Sequence, residues 1–415
     1  MILFKQILLL ITLSIVVNAT TLKEMIQSGL QNNENIKALN LQNKAKQKTF
    51  FSVENIYNPI VTTGINYSKL NLDIRDAQVG STLSGFVKVD IDLYNGGKNK
   101  ALKNQKEYEY KSALFSTAIS EKELALQIVT LFFQTKTTIQ NIKIFQEKSA
   151  TLKAQYERIK IKYDIKMVTI DEVLKLQSEY ETNEYTIQDL EYQKSDLLEN
   201  LSLLVGKNIV SLDNSTLPRV DDLEFIDSEN IEALKIDIKA QRENTKIVSA
   251  INKPQLKLQN SLTIYDYSDY NEQFLKDLPD KQNQIMLNLT YNLFDTTSKD
   301  KIEVSKLTEL ASKQKLNYVK NQEKINFKLA KKKLTTTKLK INSLKSAVEM
   351  GDTIYDMVKI KYQNGIVDNI TYLDALSKKT YNKALYRQAL NDYEIAKANY
   401  YFSSGVNYKN VLKSW

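Results

Sequence analysis

The sequence predicts a mainly α protein with a membrane β-part, built from tandem-duplicated long helical hairpins plus two β-hairpins. Three observations predict it. The 415 residues include only 10 glycines and 4 prolines, far below the roughly 7% and 5% of average usage, so turns are few and elements are long. Residues 98–160 contain neither Gly nor Pro and residues 299–361 contain only Gly351, and a helix of that length spans roughly 95 Å. Finally, the chain is written twice. Ile161-Lys162-Tyr163 returns as Ile360-Lys361-Tyr362, and at the same offset of 199 residues Val168 answers Val367, Leu174 answers Leu373 and Ser178 answers Ser377. Leu93-Tyr94-Asn95 answers Leu293-Phe294-Asp295, and Pro59 answers Pro254. Self-similarity at a fixed spacing is the mark of a repeated structural unit.

The repeat sets the domain boundaries. Residues 20–205 form the first unit, 206–230 a connection and 231–415 the second. The connection holds Pro218 and the acidic cluster Asp221, Asp222, Glu224, Asp227 and Glu229. Those carboxylates lack the spacing of a calcium loop, so an exposed, solvated linker is expected. Ahead of the first unit, Lys5 precedes an apolar run from Ile7 to Val17 and small residues up to Ala19. This is the pattern of a cleaved secretory signal over residues 1–19; a membrane-spanning helix needs about 20 apolar residues. No later segment approaches that length, so any contact with a membrane falls to strands.

Composition narrows the chemistry. With no cysteine and no histidine there is no thiol nucleophile, no Ser-His-Asp triad, no tetrahedral N/S zinc site and no haem held by histidine. No catalytic residues, cofactor or metal ligands emerge, and an enzyme is the weakest reading.

Each unit repeats one order of elements. A helical stretch comes first, Leu22 to about Glu54 and then Ser228 to about Ile251. Strand pairs follow, opened by Pro59 and Pro254, since a strand's start tolerates a missing N–H. Val87, Val89, Ile91 and Leu93 alternate with Lys88, Asp90 and Asp92, and Ile285 to Leu293 alternates in the same way. Their partners are Val61–Tyr67 and Leu256–Tyr267. Period-2 alternation gives one apolar and one polar face. Long helices then run to short turns at Asp164–Val168 and Gln363–Asp368. On the first, a stripe from Leu124 through Ile128, Leu131, Thr135 and Thr138 to Tyr163 steps by four and three, the 3.5-residue period of coiled-coil packing. Thr169 with Glu172 predicts a capping box on the returning helix; Gly365 suits a left-handed turn position, and Asp368 can cap.

Strands of about ten residues suit a membrane barrel, with Val, Ile and Leu toward lipid. Tyr67, Tyr94, Tyr265, Tyr267 and Phe294 lie near strand ends, where aromatic girdles form. Four strands cannot close a barrel, and an open edge in hydrocarbon is forbidden. Either the chain oligomerises, or the pairs are soluble β-ribbons, as in a periplasmic coiled-coil adaptor or structural protein. An adaptor usually carries one helical hairpin; two stand here at matched positions.

Certain residues resemble the outer-membrane efflux protein family, the TolC-like channels. They are Thr21-Leu22-Lys23-Glu24 with Asn32-Asn33, the corner Leu93-Tyr94-Asn95-Gly96-Gly97-Lys98, and the paired Tyr163…Leu174 and Tyr362-Gln363-Asn364-Gly365…Leu373-Asp374-Ala375. The resemblance covers essentially the whole chain after the signal. It implies a homotrimer forming a trimeric α-barrel/β-barrel in the outer membrane of a Gram-negative bacterium and its periplasm. The function implied is that of a passive exit channel of a tripartite efflux or type I secretion system. The partners implied are outer-membrane lipid, a periplasmic adaptor protein and an inner-membrane pump or secretion ATPase. It also implies an adaptor-contacting tip at Lys166, Met167, Val168, Thr169, Gly365, Ile366, Val367 and Asp368, and a periplasmic gate involving Tyr362 and Asp374. Thr371 stands where a second gate carboxylate often lies. Asp295-Thr296-Thr297-Ser298 departs from the glycine corner kept by the first unit.

Charge is uneven. The chain carries a formal +9, and residues 299–345 alone hold 14 lysines against 4 carboxylates. No aromatic platform interleaves those lysines, so a solvated helix face is expected and nucleic acid is not. A second expectation is that some of them form a positive belt along a tunnel.

Overall fold

The computed structural model describes residues 20–70, 78–219, 222–271, 273 and 277–406. The expected signal peptide and Asp221 lie outside the described residues. Two short helices, α1 (Leu22–Asn32) and α2 (Glu34–Glu54), lead into strands β1 (Ile60–Lys69) and β2 (Ser81–Asn95). The first long hairpin follows as α3 (Lys98–Asp164) and α4 (Ile170–Val205). The order then repeats as α5 (Glu229–Ser249), β3 (Gln255–Ser268), β4 (Lys281–Thr290), α6 (Thr296–Gln363) and α7 (Asn369–Ser403). Helices α3 and α6 are 67 and 68 residues long, roughly 100 Å each. No described helix is long and apolar enough to cross a membrane.

Two local features correct the expected boundaries. The first helical stretch breaks at Asn33, whose backbone is extended and whose Oδ1 accepts from the backbone N–H groups of Asn35 and Ile36 at 3.0 and 3.3 Å. Asn33 thus ends α1 and caps α2, as a short amide side chain does well. Strand β4 stops at Thr290, short of Leu293, because its last partner on β3 is Gln255 and Pro254 before it has no N–H to extend the ladder.

The chain forms two compact units. One comprises the described parts of Asn40–Thr117 and Glu229–Lys320. Its centre is a single antiparallel sheet in the order β1-β2-β3-β4, which leaves β1 and β4 as open edges. The register sorts the side chains. Val61 opposes Val89, which opposes Asn260, which opposes Ile285; two residues along, Thr63, Val87 and Leu262 share a row. Ile91, Leu258 and Leu287 lie on that same face, and the alternate rows carry Lys88, Asp90, Ser261, Gln284 and Asn288. The apolar face is open to solvent: Ile65, Ile285 and Leu289 are 79%, 71% and 70% exposed. A bulge between Asp92 and Tyr94 sets Tyr94 opposite Leu256, in the apolar row, as a single extra residue re-aims a side chain. Tyr67 is also on this face, opposite Leu83. Tyr265 and Tyr267 are not. They pair with Ser84 and Thr82 on the polar face and stack on one another at 5.5 Å, so the expected girdle loses two members.

The corners into the long helices differ as the sequence differs. At the first, Gly96 and Gly97 both take positive φ, and a Cβ at Gly96 would lie 2.7 Å from Lys253 Cβ. At the second, Asp295 replaces the glycine geometry with a cap, its Oδ1 accepting from the N–H and hydroxyl of Thr297 at 2.9 and 2.8 Å.

The other unit comprises the described parts of Met1–Leu39, Ala118–Ser228 and Asn321–Trp415. Its helices form a layer whose order is read from the bonds between neighbours. Asn183 of α4 donates to the Phe145 carbonyl of α3 at 3.0 Å. Asn391 of α7 donates to Thr137 of α3 at 2.9 Å, and Asn382 of α7 donates to the Ala347 carbonyl of α6 at 3.0 Å. These bonds pair α4 with α3, α3 with α7 and α7 with α6; near the turns α7 also reaches α4, where Asn369 donates to the Glu172 carbonyl. The predicted stripe on α3 is its inner seam: Leu124, Ile128, Thr135, Thr138, Ile142, Leu152 and Ile159 are buried. Thr135 satisfies its hydroxyl on the Leu131 carbonyl at 2.7 Å.

The connection between repeats is a docked strap, not a solvated linker. Ile209 and Leu217 are 3% and 4% exposed and join the core made by Met25, Ile26, Phe132, Phe133 and Val205. Glu394 and Lys397 of α7 grip Leu217 from both sides: the carboxylate accepts its N–H at 2.8 Å and the ammonium donates to its carbonyl at 2.8 Å. Tyr400 accepts the Leu223 N–H at 3.0 Å, and Asp222 takes Lys331 at 2.6 Å. The acidic composition suggested solvent because most of the groups that satisfy this strap's backbone lie on α7, more than 170 residues on, with Lys136 of α3 donating to the Ser215 carbonyl.

Candidate tip and entrance

The two hairpin turns are built alike. In the first, Lys166 N–H donates to Tyr163 O at 2.8 Å and Met167 N–H to Lys162 O at 2.8 Å. In the second, Gly365 N–H donates to Tyr362 O at 3.1 Å and Ile366 N–H to Lys361 O at 2.9 Å. These are paired helix-terminating bonds around one left-handed residue, with φ of 59° at Lys166 and 70° at Gly365. Met167 and Ile366, the next residues, are 68% and 69% exposed, whereas Val168 and Val367 are half-buried. Each turn thus displays an apolar side chain and tucks in the next, and the first also exposes Ile165.

The returning helices start differently. Asp368 accepts from Thr371 N–H at 2.8 Å and from its hydroxyl at 2.6 Å. These bonds, with Lys175 nearby, hold the Asp368 carboxyl below the usual carboxylate range. The expected capping box at Thr169 does not form: its backbone is extended as a cap requires, but its side chain makes no capping hydrogen bond. Thr371, at the expected second gate position, is occupied with Asp368.

Behind the tips lies an aromatic cluster that sequence spacing did not reveal. Tyr372 is fully buried; Tyr362 stacks on it at 4.8 Å, and the Tyr372 hydroxyl meets that of Tyr355 at 3.2 Å. The Tyr362 hydroxyl is buried without a hydrogen-bond partner. Burial first, and the Glu172 and Tyr372 groups after it, push its pKa up to about 12. Lys379 caps the Tyr355 ring at 4.2 Å and pairs with Asp352 at 3.3 Å. The motif at Tyr362 was legible; its partners were not, because Tyr355 and Tyr372 sit in unremarked helical positions. The two expected gate residues are not brought together. Tyr362 packs inward, while Asp374 stays exposed and pairs with Lys378 at 2.7 Å.

Among the described residues no group of three carboxylate-type ligands is placed to hold a metal ion. The site is one of shape, surface and assembly. An open-edged sheet with most of its large aliphatic side chains on one face, in a chain with duplicated helical hairpins, is an architecture found among outer-membrane channels. The sequence pattern of the family described as outer membrane efflux protein matches residues 25–207, so the first of the two repeats is similar to that family. Solved structures agree on the fold. The outer membrane protein VceC of Vibrio cholerae is 14% identical with a TM-score of 0.80, over 92% of this chain and 96% of that one. The CmeC outer membrane channel of Campylobacter jejuni is 13% identical, with a TM-score of 0.82 over 95% and 89%. The MtrE outer membrane channel of Neisseria gonorrhoeae, solved in its open state, is 14% identical with a TM-score of 0.76 over 92% and 88%. No curated protein sequence matches. The family match over the first repeat and the fold shared along the chain both point to an outer-membrane channel of the efflux class.

Proposed function

We propose that this chain works as a homotrimer, three sheets closing a twelve-stranded barrel in the outer membrane and three helical layers closing a tunnel in the periplasm. The observation that carries the reading is the register of the four-stranded sheet. It gathers most of the large aliphatic side chains on one face and leaves two unpaired edges, and an open edge in hydrocarbon is untenable unless another strand fills it. A soluble adaptor or structural protein would have no use for Ile285, Leu287 and Leu289 displayed in a row.

In this reading the chain is a passive conduit without an active site. The tip residues Lys166, Met167, Val168 and Thr169, with Gly365, Ile366, Val367 and Asp368, meet a periplasmic adaptor. Met167 and Ile366 supply the apolar contact, an exposed side chain on each of two like turns. The adaptor couples the channel to an inner-membrane pump. Asp374, exposed early on α7, contributes charge at the entrance, and Tyr362 anchors α6 to α7 behind it.

The test is the mass of the protein extracted from outer membranes in mild detergent. A trimer in the outer-membrane fraction is expected; a monomer in the soluble periplasmic fraction would overturn the reading.

A further inference from the structure

Helices α6 and α7 enclose a groove of about 390 Å³, within the size range of small-molecule sites. Its floor is apolar, formed by Leu329 of α6 with Ala389 and Ile395 of α7. Its rim is cationic: Lys332, Lys333 and Lys340 stand exposed along α6. Among the described residues none of these three has a carboxylate at ion-pair distance, whereas Asp222 takes Lys331 beside them at 2.6 Å. The described lining holds one carboxylate, the half-buried Asp392. Burial pushes its carboxyl above the usual carboxylate range, against the pull of Lys333 and Lys340.

The groove opens on the side of both helices that faces away from the strap. On α6, Lys331 reaches Asp222, and the Phe327 ring lies 6.0 Å from that of Phe225. At about 100° per residue, Lys333 and Lys340 lie about half a turn around the helix from Lys331. On α7, Glu394 holds Leu217, and Asp392 again lies about half a turn away from it. In the trimeric ring proposed above, one side of these helices faces the bore and the other the outer wall. The strap packs with α1 into an apolar core, which would stop the bore if it faced inward. The strap therefore lies outside, and the groove faces the tunnel.

We propose that this groove is a docking site on the tunnel wall for amphiphilic organic anions, small cargo with a carboxylate or sulfonate head on an apolar body. Charge selects the head, since three ammonium groups against one carboxylate attract an anion and repel a cation. The floor selects the body. Exposed lysines hold a bare inorganic anion weakly, because water and salt screen the attraction. An apolar body adds the free energy of covering Leu329 and Ile395, and the lysine stems extend that cover. The Thr337 hydroxyl is already bonded to the Lys333 and Leu334 carbonyls at 2.9 and 3.0 Å. Recognition is thus by charge and area, which suits a wall that must release what it holds. This cargo class stands only with the conduit reading above. It also divides the lysine run: Lys333 and Lys340 face the bore, while Lys331 and Lys338, two turns apart, face the outer wall.

The experiment is equilibrium dialysis of 2-naphthalenesulfonate against the full-length protein in non-ionic detergent, with detergent alone as blank. Saturable binding is expected, with the neutral 2-naphthalenemethanol held about tenfold more weakly. Lys333→Gln and Lys340→Gln should each weaken binding about threefold, and Asp392→Asn should strengthen it by a similar factor. Lys338→Gln, on the strap side, should change nothing. Unchanged far-UV circular dichroism certifies the fold of each variant. Equal binding of the neutral analogue, or a loss in Lys338→Gln as large as in Lys340→Gln, would overturn the site. Its place in the tunnel is read in planar bilayers, where 2-naphthalenesulfonate should lower the wild-type current and spare that of the Lys333→Gln, Lys340→Gln double variant. Block that survives in the double variant, or binding without block in a conducting wild type, overturns the cargo assignment. A wild type that forms no conducting pore while dialysis shows the binding overturns the conduit reading and leaves the groove standing as a binding site.

Discussion

Lys166 and Gly365 occupy the same left-handed position in two turns 199 residues apart, with φ of 59° and 70°. The backbone demand is equal and the residues are not. A lysine there carries the steric cost of a Cβ near the following carbonyl, about 1 kcal/mol, which glycine avoids. Lys166→Gly is expected to stabilise the first turn by about that amount and Gly365→Ala to destabilise the second similarly. Nothing lies within 4 Å of a Cβ at Gly365, so crowding does not complicate the comparison. Hydrogen exchange of the amides flanking each turn reads the difference; equal protection in wild type and both variants would refute it.

The buried pair Glu394 and Lys397, with side chains 13% and 8% exposed, holds the strap at Leu217. Removing one member strands the other's charge in the interior, a loss of about 3–5 kcal/mol. Lys397→Met is therefore expected to release the strap. Limited proteolysis should then cut between residues 207 and 219 far faster than in wild type. Glu394→Gln keeps an acceptor for the Leu217 N–H and should give an intermediate rate. Cutting at the wild-type rate in Lys397→Met would show that the core contacts of Leu217 suffice alone.

How much of this was legible in the sequence follows from where each determinant lies. The strands could be read because their signal is local: Val87, Val89 and Ile91 alternate with charges in one run, and Pro59 and Pro254 mark the starts. The turn at Gly365 was equally readable, since one residue type announces the geometry. Asn33 had a local signal as well, an amide at a helix junction, but a continuous run of helix formers masked it. The strap was misread as solvated because its burial depends on Tyr400, Lys397 and Phe132, distant in sequence. The faces of Tyr265 and Tyr267 depend on a register that only the partner strand supplies. Thr169 failed as a cap although its spacing to Glu172 is correct, since that pattern permits the bond without compelling it.

The sheet's two faces should respond oppositely to charge. Val89 lies in the row of Val61 and Ile285, and its neighbour Lys88 lies on the other face. If the Val89 face meets lipid, Val89→Arg costs about 2–4 kcal/mol near the bilayer midplane and blocks assembly in the outer membrane. Lys88→Gln should assemble normally. Comparing the two proteins in fractionated membranes decides the matter, and normal assembly of Val89→Arg would assign that face to water.

Tyr362 offers a test that combines burial with titration. Its hydroxyl is buried with no partner, an arrangement that costs about 1–3 kcal/mol relative to a satisfied group. Tyr362→Phe removes the orphan atom and keeps the ring stacked on Tyr372, so it should be neutral or stabilise by about 1 kcal/mol near neutral pH. The alkaline behaviour has a definite sign. Burial raises the folded-state pKa from 10.0 to about 12, so the folded chain holds this proton where the unfolded chain has released it. The contribution is fully present below pH 10 and is lost as pH rises from there through about 12. Wild type should therefore lose stability across that window more steeply than Tyr362→Phe. Subtracting their profiles cancels the lysines and the other tyrosines that titrate in the same range. The readout is protection of the amides around Tyr362 and Tyr372 against exchange or proteolysis as pH is raised. Parallel profiles would mean that the hydroxyl reaches solvent, and the packing of α6 on α7 behind the tip would then be looser than the ring stacking implies.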